Sequence, residues 1–117
     1  MKWTIEFHDN FVAEFENFQE AVQDEIYAKA RLLETYGPTL GRPHCDTLKS
    51  SRLKNLKELR FQSGDQAWRL AFAFDKQRKA IMLCAGSKSG VSEDRFYKTL
   101  IRIAEERLKS HIDKLKE

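Results

Sequence analysis

The sequence predicts an α+β fold, a small mixed or antiparallel sheet packed with helices, and three observations carry that prediction. Residues 56–62 and 67–75 alternate apolar and polar side chains with the two-residue period of strands. Residues 20–36 and 93–116 instead repeat apolar positions every three or four residues, as helices do. Hydrophobic residues make up 41% of the 117, with only 2 Pro and 5 Gly, so the chain can build a core and lacks the composition of a disordered segment. At this length a single domain over residues 1–117 is expected.

The elements follow in order. Trp3, Ile5 and Phe7 alternate with polar neighbours and predict a short strand with one buried face. Asp9 or Asn10 can cap a short helix in which Phe11, Phe15 and Phe18 line one side. Val22, Ile26, Ala30 and Leu33 make the buried stripe of a second helix from Glu20 to Tyr36, which Gly37-Pro38 ends. Residues 39–55 show no sustained period and read as a connecting loop rich in cations. Leu56–Gln62, Ala67–Asp75 and Lys79–Gly86 then form a three-strand meander joined by short turns. A long helix closes the chain over Glu93–Lys116, capped by Ser92, with Tyr97, Leu100 or Ile101, Ala104, Leu108, Ile112 and Leu115 as its apolar stripe.

The middle strand of the meander has two unlike sides. Trp68, Leu70, Phe72 and Phe74 point one way; Ala67, Arg69, Ala71 and Ala73 point the other. One arginine among alanines leaves room for a large anion. Equally, a helix can cover the alanines while Arg69 meets an acidic side chain.

The formal charge of +3 is too small to name a partner, but it is unevenly distributed. Residues 1–40 hold 3 basic and 8 acidic side chains, residues 41–92 hold 11 and 4, and residues 93–117 hold 7 and 6. The basic middle places Lys57, Arg60, Arg69 and Lys88 on strands and turns, backed by Lys49, Arg52 and Lys54 in the preceding loop. With Trp68 and Tyr97 as aromatic surfaces, this interleaving suits a single-stranded nucleic acid. Trp68 shares its side with Leu70 and Phe72, so it also reads as core.

Several chemistries are disfavoured. Cys45 and Cys84 stand apart, and His44-Cys45 supplies two metal ligands with no cluster to complete a site. Gly86-Ser-Lys-Ser-Gly90 lacks the spacing of a phosphate-binding loop, and there is no nucleophile elbow. The 4 acids of the basic middle are too scattered for a two-metal nuclease. No run approaches the roughly 20 apolar residues that cross a bilayer, and Glu6 and Asp9 interrupt any signal-like start, so a cytoplasmic protein without membrane contact is expected.

Leu56-Lys-Glu-Leu-Arg60, Trp68-Arg-Leu-Ala-Phe-Ala-Phe-Asp75, the run from Lys79 to Lys88-Ser-Gly90, Phe96-Tyr97 and the Gly37–Pro43 stretch, in that arrangement, resemble the HigB-like branch of the RelE/ParE toxin superfamily. The resemblance covers nearly the whole chain. It implies a RelE-like fold and the toxin of a type II toxin–antitoxin module. It also implies a ribosome-dependent endoribonuclease that cuts messenger RNA without a cofactor, and a cognate helix-turn-helix, HigA-like antitoxin as partner. Arg69 resembles the arginine that contacts the scissile phosphate in RelE-like toxins, and Lys57 and Arg60 resemble the basic strand before it. Lys88 is similar to the cation after the last strand, Tyr97 to a C-terminal aromatic, and His44 to a histidine that some members use near the cut.

The chemistry can also be put in terms of the residues alone. RNA carries its own nucleophile, the 2′-hydroxyl, so cleavage needs a base, a cation for the phosphorane and a proton for the departing 5′-oxygen. Lys57 crowded by Arg60 and Arg69 could serve as base. A regular strand, however, turns Lys57 toward the side of Leu59 and Phe61, away from Arg60, so either a bulge reorients it or Lys54 takes the role. Two other readings stay open: a ParE-like toxin that inhibits DNA gyrase without cutting RNA, and an inactive module that only binds an antitoxin.

Overall fold

The computed structural model describes residues 2–116. In chain order they form β1 (Thr4–Phe7), α1 (Asp9–Glu16), α2 (Glu20–Tyr36) with a 3₁₀ turn over Gly37–Thr39, β2 (Cys45–Thr47), β3 (Leu56–Ser63), β4 (Gln66–Phe74), β5 (Lys79–Ser87) and α3 (Glu93–Leu115). The strands make one sheet in the order β1-β5-β4-β3-β2. β1 runs parallel to β5, and the other pairs are antiparallel. This is the mixed α+β arrangement that the periodicities predict.

Side chains alternate along each strand, so the sheet has two faces, and the helices divide between them. On one face, Phe11, Phe15, Val22, Ile26 and Leu33 of α1 and α2 pack on Leu59, Phe61, Leu70, Phe72 and Met82. On the other, Phe96, Leu100, Ile101, Ala104 and Leu108 of α3 pack on Leu56, Ala71, Ala73, Ile81 and Leu83. The small side chains of Ala71 and Ala73 let α3 come close, which answers the question posed by β4: a helix does cover the alanines, and Arg69 meets an acidic side chain, Glu58. A bulge between β4 and β5 pairs Ala71 with Cys84 but Phe72 with Met82. Leu83 is therefore an extra residue, and both Leu83 and Cys84 join the α3 face.

The structure corrects four details of the sequence reading. His8, rather than Asp9 or Asn10, caps α1: its Nδ1 accepts from the Asn10 backbone N–H at 3.1 Å. α1 stops at Glu16, so Phe18 lies beyond it, though its ring still meets Trp68 at 5.2 Å. Within the expected loop, Cys45–Thr47 forms the edge strand β2 against β3; three residues are too few to show a period. Near the end of α3, Ile112 and Leu115 are exposed and His111 is buried instead. His111 Nε2 lies 3.1 Å from the Asp75 carboxylate, so the inward position after Leu108 falls three residues on rather than four.

Two close approaches fix the ends of the helical layers. Gly37 ends α2 with φ of +55°, and a side chain there would overlap the Trp3 ring, so glycine is required on both counts. Across the sheet edge, Arg107 of α3 grips Glu14 of α1 through two hydrogen bonds of 2.8 and 2.6 Å and also donates to the Leu83 carbonyl at 2.8 Å. The hydrogen bond from Arg107 holds the Glu14 carboxyl below the usual carboxylate range.

Candidate active site

β3 and β4 pair without interruption from Leu56↔Ala73 to Ser63↔Gln66, which places Arg60 directly opposite Arg69. Two like charges across an antiparallel pair repel. The conflict is resolved by Glu58, two residues along β3 on the same face, whose side chain is almost wholly buried. Its Oε2 lies 3.3 Å from Arg60 Nη2, and its Oε1 lies 3.6 Å from Arg69 Nε. Asp46 on β2, opposite Glu58, adds a second carboxylate 3.8 Å from Arg60 and also binds Arg42 at 2.8 Å. A buried carboxylate with several charged and hydrogen-bonded partners is the arrangement that makes such burial tolerable.

The first turn of α3 completes the cluster. Gly86 sits opposite Arg69, and a Cβ at Gly86 would come within 3.3 Å of the Phe96 ring, so glycine here lets the helix start come down onto the sheet. Ser92 caps that turn by accepting from the Arg95 backbone N–H. Tyr97 then reaches inward: its hydroxyl donates to Glu58 Oε1 at 2.7 Å and accepts from Arg69 Nε at 3.2 Å. Arg69 is held further by a bond from Nη1 to the Trp68 carbonyl at 2.9 Å. Burial pushes the Tyr97 phenol up from its ordinary value, and the bond to Glu58 adds to this, with Arg69 opposing, so the phenol keeps its proton at neutral pH. Lys88, just after β5, lies 5.6 Å from the centre of the Tyr97 ring and donates to Glu93 at 2.6 Å. That hydrogen bond lowers the Glu93 carboxyl.

Beside the cluster opens a cleft of about 770 Å³ between β2, the 47–52 segment and α3. Glu58, Arg60 and Tyr97 line it together with the cations Arg42, Lys49, Arg52, Lys98 and Arg102 and the carboxylates Asp46, Glu93, Asp94 and Glu105. Among the described residues, no group of three His, Cys, Asp or Glu side chains is placed to hold a metal ion.

Of the residues singled out in the sequence, the fold brings together Arg60, Arg69, Lys88 and Tyr97, with Lys49 and Arg52 on the cleft wall. It sends others elsewhere. β3 carries no bulge at Lys57, which pairs with Thr47 and Phe72 on the α2 face, so Lys57 does not join Arg60 and Arg69. Trp68 is packed against Phe61 and Phe18 at 6.0 and 5.2 Å, in the core layer rather than the cleft. His44 meets Lys29 of α2, with 3.0 Å between Nζ and Nδ1. Lys54 is exposed on the turn before β3 and does not line the cleft. The residues that sequence reasoning passes over are Glu58, Asp46 and Glu93, the acids that organise the cations. One signal was available for Glu58: in a meander, Arg60 and Arg69 fall on the same face, and such a pair needs a carboxylate close by.

Comparison with known proteins bears on the family and the fold. A family model described as phage derived protein Gp49-like matches residues 13–109. The chain is 44% identical over 88 residues to "Putative toxin HigB2" of Mycobacterium tuberculosis (strain ATCC 25618 / H37Rv), covering 74% of this chain and 43% of that protein. It is 46% identical over 76 residues to "Putative toxin HigB3" of the same organism, covering 65% of this chain and 64% of that one. The chain thus spans about half to two thirds of the length of these curated relatives. Its fold is similar to that of a mutant E. coli toxin RelE in the free state, with a TM-score of 0.61 at 12% identity over 86% of this chain and 95% of the other. It is also similar to a chain of the archaeal RelE–RelB complex from Pyrococcus horikoshii OT3, with a TM-score of 0.56 at 16% identity over 78% and 100%.

Proposed function

The chain belongs to the phage-derived Gp49-like family, a HigB-like branch of the RelE/ParE superfamily, and on that premise we propose that it is the toxin of a toxin–antitoxin pair, an endoribonuclease that cuts messenger RNA on the ribosome. One observation carries the reading: Arg60 and Tyr97 line a cleft that also holds Arg42, Lys49, Arg52, Lys98 and Arg102, and behind it Arg69 bonds to the Tyr97 hydroxyl while Lys88 lies against the Tyr97 ring. In this reading a messenger strand lies in the cleft with its phosphates toward Arg42, Lys49, Arg52, Lys98 and Arg102. The 2′-hydroxyl oxygen attacks the adjacent phosphorus, the O2′–P bond forms, and the P–O5′ bond breaks.

Each residue has a task in that step. Arg69, whose Nε and Nη1 are fixed by Tyr97 and the Trp68 carbonyl, presents its remaining N–H groups to the non-bridging oxygens, where negative charge develops. Arg60 reinforces that field. Proton transfer is assigned to Tyr97 and Lys88, which adjoin Arg69 and each other. The ribosome supplies the alignment, which lets a small site act with few groups. A helix-turn-helix antitoxin, HigA-like, holds the toxin silent until it is removed, in the cytoplasm where message and ribosomes meet.

The test is to add the purified protein to ribosomes programmed with a defined message. The expected result is a shortened message that appears only when ribosomes are present. Intact message on ribosomes that remain competent for peptide synthesis would contradict the reading.

A further inference from the structure

We propose that Glu58 is a positioning residue that acts through Tyr97, committing the phenolic oxygen to the 2′-hydroxyl end of the cleavage reaction; the inference rests on the endoribonuclease reading. Donor and acceptor inventories fix the direction of the bonds at Tyr97. A carboxylate has no hydrogen to give, and a guanidinium has no lone pair to offer. Tyr97 touches one of each, with Glu58 Oε1 at 2.7 Å and Arg69 Nε at 3.2 Å. Its single hydrogen must therefore point into the sheet, toward Glu58. What the hydroxyl can present to the cleft is a lone pair, so in this arrangement Tyr97 accepts a proton from substrate and does not donate one.

Burial makes that polarity durable. Glu58 is only 3% exposed, and its oxygens are held by Tyr97, Arg60 and Arg69. Water therefore has little access through which to reverse the bond. Lys88, on the outer side of the Tyr97 ring, is left as the group that protonates the leaving oxygen. The step balances. As O2′ bonds to phosphorus, its proton passes to the Tyr97 oxygen, the phenolic proton passes to Glu58 Oε1, and the 5′-oxygen leaves with a proton from Lys88. The carboxylate ends as acid and the ammonium as amine; once product leaves, the proton returns from Glu58 through the Tyr97 hydroxyl to water in the cleft and from there to Lys88, which restores both.

The experiment uses ribosomes carrying a message with a single 5′-bridging sulfur at the cleaved position, because a thiolate departs without a proton. Wild type should cut both messages. Lys88→Met should lose about 10²–10⁴-fold on the ordinary message and recover most of it on the sulfur message. Glu58→Gln and Tyr97→Phe should each lose about 10²-fold and recover nothing. The double variant should stay within about tenfold of Tyr97→Phe alone, since the part Glu58 takes in proton transfer passes through that hydroxyl and what remains is its pairing with Arg60 and Arg69. Recovery of Glu58→Gln on the sulfur message, or a further loss beyond that range when it is added to Tyr97→Phe, would overturn the proposal. Should Glu58→Gln fail to fold, Tyr97→Phe decides alone: recovery on sulfur means the phenol serves the leaving group. A wild-type protein that leaves both messages whole overturns the endoribonuclease reading itself.

Discussion

The two faces of this sheet are made by the same strands and covered by opposite means. The α1–α2 face is closed with aromatic rings: Phe7, Phe11, Phe15 and Phe18 meet edge-on or stacked at centroid distances of 5.1 to 6.4 Å, and Trp68 lies against Phe18 and Phe61. The α3 face uses alanines where the helix lies close, and at its other end gives way to Glu58, Arg60, Arg69 and Tyr97 beside an open cleft. β4 serves both, with Phe72 on one side and Arg69 on the other. The contrast shows how one sheet can hold an apolar face and a charged one: a two-residue period lets one strand anchor a dry core and carry a charged cluster, provided each buried charge is balanced where it stands.

Substitutions on each face should separate the two. Phe72→Ala should have the largest effect, costing about 3–5 kcal/mol of unfolding free energy in denaturant titrations while leaving cleavage per folded molecule unchanged. A loss of activity exceeding the loss of folded protein would mean that the faces are not separable. Arg69→Ala should reverse the pattern, lowering message cleavage about 10²–10³-fold with the fold retained by circular dichroism.

A smaller effect is expected at the clamp between the faces. Because Arg107 depresses the Glu14 carboxyl, the pair stabilises the fold above the ordinary carboxylate range, and that stability is lost as pH falls through the depressed value. Glu14 is nearly half exposed, so Glu14→Gln should cost no more than about 1 kcal/mol near neutral pH. The difference from wild type should vanish in unfolding curves taken in acid. A gap that persists there would assign the cost to packing. The smallest effect belongs to Lys57→Ala, which should change cleavage by no more than about twofold, since the side chain stands on the α2 face. A large loss would return Lys57 to the reaction.

Much of this was legible in the amino-acid order. The one-sided aromatic row of β4, the stripe of α2 and the Ser92 cap appear in the structure where periodicity and capping chemistry put them. The alternation that troubled a catalytic role for Lys57 is obeyed. β2 is not legible because three residues carry no period, and the end of α3 departs from its predicted stripe where His111 takes the inward place beside Asp75, 36 residues away in sequence. Glu58 escaped for a similar reason: within a basic strand it reads as a solvated charge, and only the arrival of Tyr97, 39 residues later, reveals it as the centre of a buried network.

The central claim is that the α3-face cluster cuts RNA by attack of the 2′-hydroxyl, and the chemical ends of the products test it most directly. Message cut by the purified protein on programmed ribosomes should carry a 2′,3′-cyclic phosphate on the upstream fragment and a 5′-hydroxyl on the downstream one, and Arg69→Ala should yield neither. A 3′-hydroxyl paired with a 5′-phosphate, or the same fragments from Arg69→Ala at an undiminished rate, would contradict the account.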